Sequence, residues 1–109
     1  MKLEGIPAGV IDWSQVAEAS HPGQSGTAAV RAVQMGDKQV RLVTYSPGYI
    51  ADHWCNKGHL TFVVSGAVDV EHMDGSHRAT AGTSYHVPDG DAHTHRLSSP
   101  EGATIFIVD

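Results

Sequence analysis

His53, Cys55, His59 and His93 stand at spacings that allow two paired β-strands to aim four metal-binding atoms at one point. Residues i and i+2 of a strand share a face, so His53 and Cys55 project side by side, about 7 Å apart along the backbone, with Trp54 turned away. His59 follows the bend Asn56-Lys57-Gly58, which lets the next segment swing back and offer its imidazole from an adjacent strand. His93 comes after Pro88-Asp89-Gly90-Asp91, the kind of tight turn that starts a strand with its first side chain facing inward. A thiolate with three imidazoles suits Zn²⁺ best, in a tetrahedral set with bonds of about 2.0 to 2.3 Å, while Fe²⁺, Ni²⁺ and Cu²⁺ tolerate the same ligands. Metal binding would also deprotonate the thiol, releasing about one proton at neutral pH.

Each of these side chains has an ordinary role to weigh against ligation. A lone cysteine in a reducing compartment is most often a small buried hydrophobe, and only its histidine neighbours raise Cys55 above that. His59 either binds the ion or lines the pocket without touching it. His95 shares a face with His93 by the period of two, which makes it a pocket residue, a substitute ligand or a satisfied core histidine; it is also the first candidate for a general acid or base. The orientation of His86 is not settled by its sequence, and His21, His72 and His77 read as solvated surface near loops or strand ends. Tyr45, Trp54, Phe62 and Arg96 line a ligand cavity or serve plain packing.

These residues have to be carried by β-structure. Twelve glycines fall between short β-rich runs, the texture of an all-β sandwich or barrel. The runs are Thr27 to Met35, Lys38 to Ser46, Leu60 to Ser65, Ala67 to Met73, Ser84 to Val87, Thr94 to Ser98 and Thr104 to Val108. Gly36-Asp37 joins the first two as a hairpin turn, Gly66 marks a tight link or bulge between the third and fourth, and Asp74-Gly75 begins the next turn. Alternation in Arg41-Leu42-Val43-Thr44-Tyr45 and Val68-Asp69-Val70-Glu71-His72 turns one face of each strand toward a core. The one helical stretch is Trp13 to Glu18, with Asp12 as its cap and Gln15 three residues on, stopped by His21-Pro22-Gly23. Residues 1–25 thus form an N-terminal arm on a single domain spanning 1–109.

Composition narrows the function. A chain of 109 residues, 40% of them apolar, supports one core and no second domain. The formal charge of −5 comes with no basic cluster, so nucleic acid and anionic membrane surfaces are not expected partners. No apolar run approaches the roughly 20 residues of a membrane span, and Met1 to Val10 lacks a signal-peptide pattern, so a cytoplasmic protein is expected. One cysteine excludes an internal disulfide. All eight histidines but His21 lie from His53 onward, a clustering that chance surface placement does not give.

The two histidine-bearing stretches together resemble the cupin superfamily. Its first motif is matched by Gly48, His53, Cys55, His59 and Gly66, its second by Gly82, Pro88, Gly90 and His93. Gly48 to His53 is one residue short, Cys55 replaces a histidine, His59 replaces the glutamate and Leu97 replaces the asparagine. The resemblance implies a cupin-type β-barrel (double-stranded β-helix, or jelly roll) holding one divalent metal, with the anionic ligand moved from a carboxylate to Cys55. Asp52-His53-Trp54-Cys55 is also similar to the small cupin group described by a DHCW motif. Cys55 counts against dioxygenase chemistry, because a thiolate beside an O₂-binding iron is itself oxidised.

Two functional classes stay open: a metalloenzyme acting on a small molecule, with an open coordination position and His95 moving protons, or a non-catalytic metal or small-ligand binding module with a closed structural site. Small barrels of this type resemble proteins that pair as homodimers, and exposed strand edges give a physical reason for pairing.

Overall fold

The computed structural model describes residues 1 to 109. Nine strands carry the architecture: β1 (Glu18–Pro22), β2 (Thr27–Met35), β3 (Lys38–Tyr45), β4 (Tyr49–Ile50), β5 (His59–His72), β6 (Gly75–Thr80), β7 (Ser84–Val87), β8 (His95–Ser99) and β9 (Ala103–Val108). All pairings are antiparallel, in the order β1-β2-β3-β9-β5-β8-β4, with β6 and β7 also paired to β5. The all-β cupin-type barrel expected from the sequence is the fold observed. No helix is long and apolar enough to cross a membrane.

β5 belongs to both walls of the barrel. Its first half, His59 to Gly66, pairs with β9 and β7, and its second half, Ala67 to His72, pairs with β6 and β8. The sequence places a break near Gly66; in the structure the strand continues through it, after a register shift between Val63 and Ser65. Gly66 has φ +74°, a left-handed conformation that side-chain-bearing residues avoid, and its α-carbon lies against the carbonyl of Gly102. The turn of the backbone re-aims the alternation, so that His59, Thr61 and Val63 before it and Val68, Val70 and His72 after it all face the interior.

The core sits where these inward rows meet β9. Val63, Val68 and Ile105 are completely buried and Val70 nearly so, with Val43, Ala103 and Ile107 around them. Each such β-branched side chain adds about 1.5 to 3 kcal/mol on burial and suits the pleated surface. Ser99, fully buried beside them, donates its hydroxyl to the Ala67 carbonyl at 2.7 Å, so its burial leaves that hydroxyl hydrogen-bonded.

Several elements depart from the sequence reading. The expected helix over 13–18 is a single 3₁₀ turn, Trp13–Gln15, capped by the Asp12 carboxylate, which accepts from Ser14 N at 3.1 Å. It ends because Glu18 is already committed to β1, opposite Arg31 of β2. Arg31 fixes that commitment, donating to the carbonyls of Trp13 and Val16 and pairing with Glu18 at 3.2 Å. β1, the two-residue β4 and β6 are absent from the expected strands. β6, Gly-Ser-His-Arg-Ala-Thr, has one buried residue and so no apolar alternation to read; its pairing with β5 forms it.

Gly66→Ala is expected to cost about 2 kcal/mol or more, since a Cβ there meets both the left-handed penalty and the Gly102 carbonyl. Gly82→Ala, with φ +86° but nothing within 4 Å of the added atom, should cost only the backbone part, about 1 kcal/mol. Urea denaturation of the two variants measures the difference.

Candidate metal centre

Hydrogen bonding across strands brings the chemistry to one end of the barrel. Cys55 forms an isolated bridge with His95: Cys55 N donates to the His95 carbonyl at 2.8 Å and His95 N to the Cys55 carbonyl at 2.9 Å. On its other side His95 is directly opposite His72 of β5. Residues opposite each other in an antiparallel pair point to the same face, so Cys55, His95 and His72 make one inward rung. His59, at the start of β5, closes on this rung, its ring 5.1 Å from that of His95 and nearly perpendicular to it.

One donor atom each from Cys55, His59 and His95 lies within 4.8 Å of the other two. Cys55 Sγ and His59 Nε2 are 3.5 Å apart. A tetrahedral zinc with bonds of about 2.3 Å to sulfur and 2.0 to 2.1 Å to nitrogen would hold such a pair roughly 3.6 Å apart. His95 is 4% exposed; its Nδ1 donates to the His93 carbonyl at 2.9 Å, and its Nε2 is buried with no hydrogen-bond partner. A buried nitrogen left unmet is costly unless something binds it. With the proton held on Nδ1, Nε2 presents a lone pair, the form in which imidazole binds a metal. The residues present therefore fit a divalent ion.

His59 is set in the same way. Its Nδ1 donates at 2.9 Å to Asp109 Oδ2, and the same oxygen accepts from Arg41 Nη2 at 2.8 Å. A carboxylate behind a histidine fixes its tautomer and ring orientation, the usual support of a ligating imidazole. Burial lowers the His59 pKa below its ordinary value, and outweighs the raising influence of Asp109. Asp109 continues the alternation of Ala103, Ile105 and Ile107, which is the sequence signal that places it inside.

The structure does not bring His53 or His93 into this group. The His53 side chain is 75% exposed, with Nδ1 bonded to Asp52 Oδ1 at 2.6 Å. The chain from 51 to 54 is not in a strand, so the i, i+2 rule does not apply to His53 and Cys55. His93 ends a 3₁₀ turn, Asp91–His93, and is exposed. That turn is pinned by Asn56 Nδ2 donating to Asp91 Oδ1 at 2.8 Å, and it delays the start of β8 to His95. The inward histidine of the second motif is thus His95, two residues later than the spacing suggests, in the pocket and substitute-ligand position that was among the roles open to it.

His72, expected on the surface, is half-buried. Its Nε2 is 2.5 Å from the Tyr85 hydroxyl, and its ring lies 5.8 Å from that of His95 and 5.5 Å from that of His77. The alternation through Val68 and Val70 already points it inward. Desolvation, then the nearby His95 and His77, lower the His72 pKa, and desolvation raises that of Tyr85 to about 12. At neutral pH both groups are uncharged and share one proton in a single hydrogen bond.

A small antiparallel barrel with an inward cysteine and histidine group at one end is defined by this geometry. The chain belongs to the cupin family: residues 33–109 match the family model described as a cupin domain. Its fold is similar to that of a cupin-2 domain containing protein from Shewanella frigidimarina, at 23% identity and TM-score 0.62 over 73% of this chain and 78% of that one. It is similar to a predicted oxalate decarboxylase from Thermotoga maritima, at 9% identity and TM-score 0.75 over 91% and 96%. A sugar phosphate isomerase from Silicibacter pomeroyi aligns at 18% identity and TM-score 0.71 over 92% and 74%. At these identities the likeness is one of fold. No curated protein matches the chain in sequence.

The lowered histidine values fix a pH dependence for the metal-free protein. An imidazole that binds its proton more weakly in the fold than in the unfolded chain favours unfolding once protons are available. The stability that His59 and His72 contribute is therefore held above their unfolded pKa of about 6.5 and lost as pH falls below it. Thermal melting between pH 8 and pH 5 should show Tm falling below about pH 6.5, with a smaller fall in His72→Gln.

Proposed function

We propose that the barrel binds one divalent metal ion through Cys55, His59 and His95, with zinc the best fit to one thiolate and two imidazoles, and that the protein is a metalloenzyme acting on a small molecule. The observation that carries this reading is the buried, partnerless Nε2 of His95 beside the Cys55 sulfur and His59. Three protein ligands leave a fourth position for water or substrate, the arrangement of catalytic rather than structural zinc. Such an ion supplies Lewis acidity and an acidified water when bound.

The protein's own residues complete that reading. Asp109 and the His93 carbonyl hold the two ligating rings in the required tautomer. Proton handling passes from His95 to His72 and Tyr85, which lie on the same inward face and share one hydrogen bond. On the outside of β5, Leu60, Phe62 and Val64 form an exposed apolar row, which supports the expectation of a homodimer.

Metal analysis and competition titration test the assignment. Cys55→Ser, His59→Ala and His95→Ala should each weaken zinc affinity by about a hundredfold or more, with His53→Ala and His93→Ala changing it by less than about threefold. X-ray absorption should find one sulfur, two imidazole nitrogens and one light exchangeable ligand. A third imidazole with no exchangeable ligand would establish the closed structural site in place of the enzyme reading.

A further inference from the structure

A cavity opens against Arg41, the residue that shares the Asp109 carboxylate with His59. It measures about 270 Å³ and is walled by Ala28 and Val30 of β2, Arg41, Val43 and Tyr45 of β3, and Tyr49 of β4. Its volume corresponds to that of roughly nine water molecules. The two tyrosine rings, 4.5 Å apart between centroids, form one aromatic wall, and the aliphatic side chains form another. The only cationic side chain in the lining that is charged at every accessible pH is Arg41.

Arg41 is under-used by the protein. A guanidinium has five N–H donors in a planar fork. Here Nη2 bonds Asp109 at 2.8 Å, and Nε is buried with no acceptor at all. Neither tyrosine hydroxyl of the aromatic wall is engaged in a hydrogen bond, and burial raises both of their pKa values, so neither adds negative charge at neutral pH. The Asp52 carboxylate also lines the cavity, and its Oδ1 is bonded to His53 Nδ1 at 2.6 Å. The cavity thus combines an apolar body with a guanidinium that is ion-paired to Asp109 through Nη2 and whose Nη1 makes no hydrogen bond within the protein.

We propose that this cavity binds a small organic carboxylate, with its anionic end on the free donors of Arg41 and its apolar body between the tyrosine pair and Val30 and Val43. Carboxylate matches the guanidinium fork in shape and charge, and such pairs are stronger than neutral hydrogen bonds. The same Asp109 oxygen contacts Arg41 and His59, so a ligand on Arg41 sits one carboxylate away from the metal-binding rings. The inference deepens the metalloenzyme reading and rests on it only for the role of the anion as substrate; the binding site stands on the cavity itself.

Calorimetric titration of benzoate, benzamide and inorganic phosphate into metal-free and zinc-loaded protein at pH 7 tests the proposal. Benzoate should bind at least about tenfold more tightly than its neutral isostere benzamide and than phosphate, and Arg41→Gln should lose that margin. Amide chemical shifts of the wild-type protein give a readout that needs no variant: benzoate should move resonances of β2, β3 and residues 49–53. Equal binding of benzoate and benzamide, phosphate binding as tightly as benzoate, or shifts confined to another face would each overturn the inference. Zinc bound without any benzoate preference would remove this inference alone. Benzoate bound at Arg41 in a protein that takes up no metal would remove the metal reading alone.

Discussion

The left-handed turn at Gly66 is the constraint on which the rest of the molecule depends. A straight strand of fourteen residues would stay in one sheet and present a single row of side chains to one side. Because β5 turns at Gly66, its two halves line two walls of one barrel, and residues as far apart as His59 and His72 face each other across the same interior. The turn requires a residue with no Cβ, both for its φ of +74° and for the close passage of the Gly102 carbonyl. The β8–β9 connection supplies that carbonyl, so the two walls are locked where the core side chains Val63, Val68 and Ile105 are most deeply buried. Closure of the barrel and convergence of the imidazoles are consequences of one backbone choice.

That dependence explains what was readable from the residues alone. The approximate limits of β2, β3, β5 and β9 follow from their β-rich runs, and β9 alternates most cleanly, burying Ala103, Ile105 and Ile107. The inward positions of Cys55 and His59 also follow from motif spacing. His93 and His95 could not be separated that way. Both have the parity of an inward residue, and the choice is made by a 3₁₀ turn that Asn56 fixes from 35 positions earlier in the chain. His53 is similar, because its predicted place assumed a strand where the chain is irregular. His72 and Asp109 lay in plain alternating runs and were legible, yet the first was read as a strand end. β6, nearly all polar, exists through its pairing alone.

The candidate site is organised by charges that are shared rather than isolated. Asp109 is largely buried, and a carboxylate there requires partners. It has two, His59 and Arg41, bonded to one oxygen at nearly equal lengths. The arrangement holds His59 in the tautomer that frees Nε2, and it anchors Arg41 through Nη2 while Nη1 stays without a partner beside the neighbouring cavity. One carboxylate therefore orients both a metal-type nitrogen and an anion-type cation.

A consequence is that the two halves of the site are energetically coupled through Asp109. A cation at the Cys55, His59 and His95 group would draw electron density out of the His59 ring and strengthen the hydrogen bond from its Nδ1 to Asp109. The carboxylate then has less charge to offer Arg41, whose guanidinium becomes a better partner for an external anion. The reverse holds equally, since coupling between two bound species is reciprocal in free energy. An anion on Arg41 and a cation on the imidazoles should each favour the other, with a buried carboxylate of fixed position as the only link required.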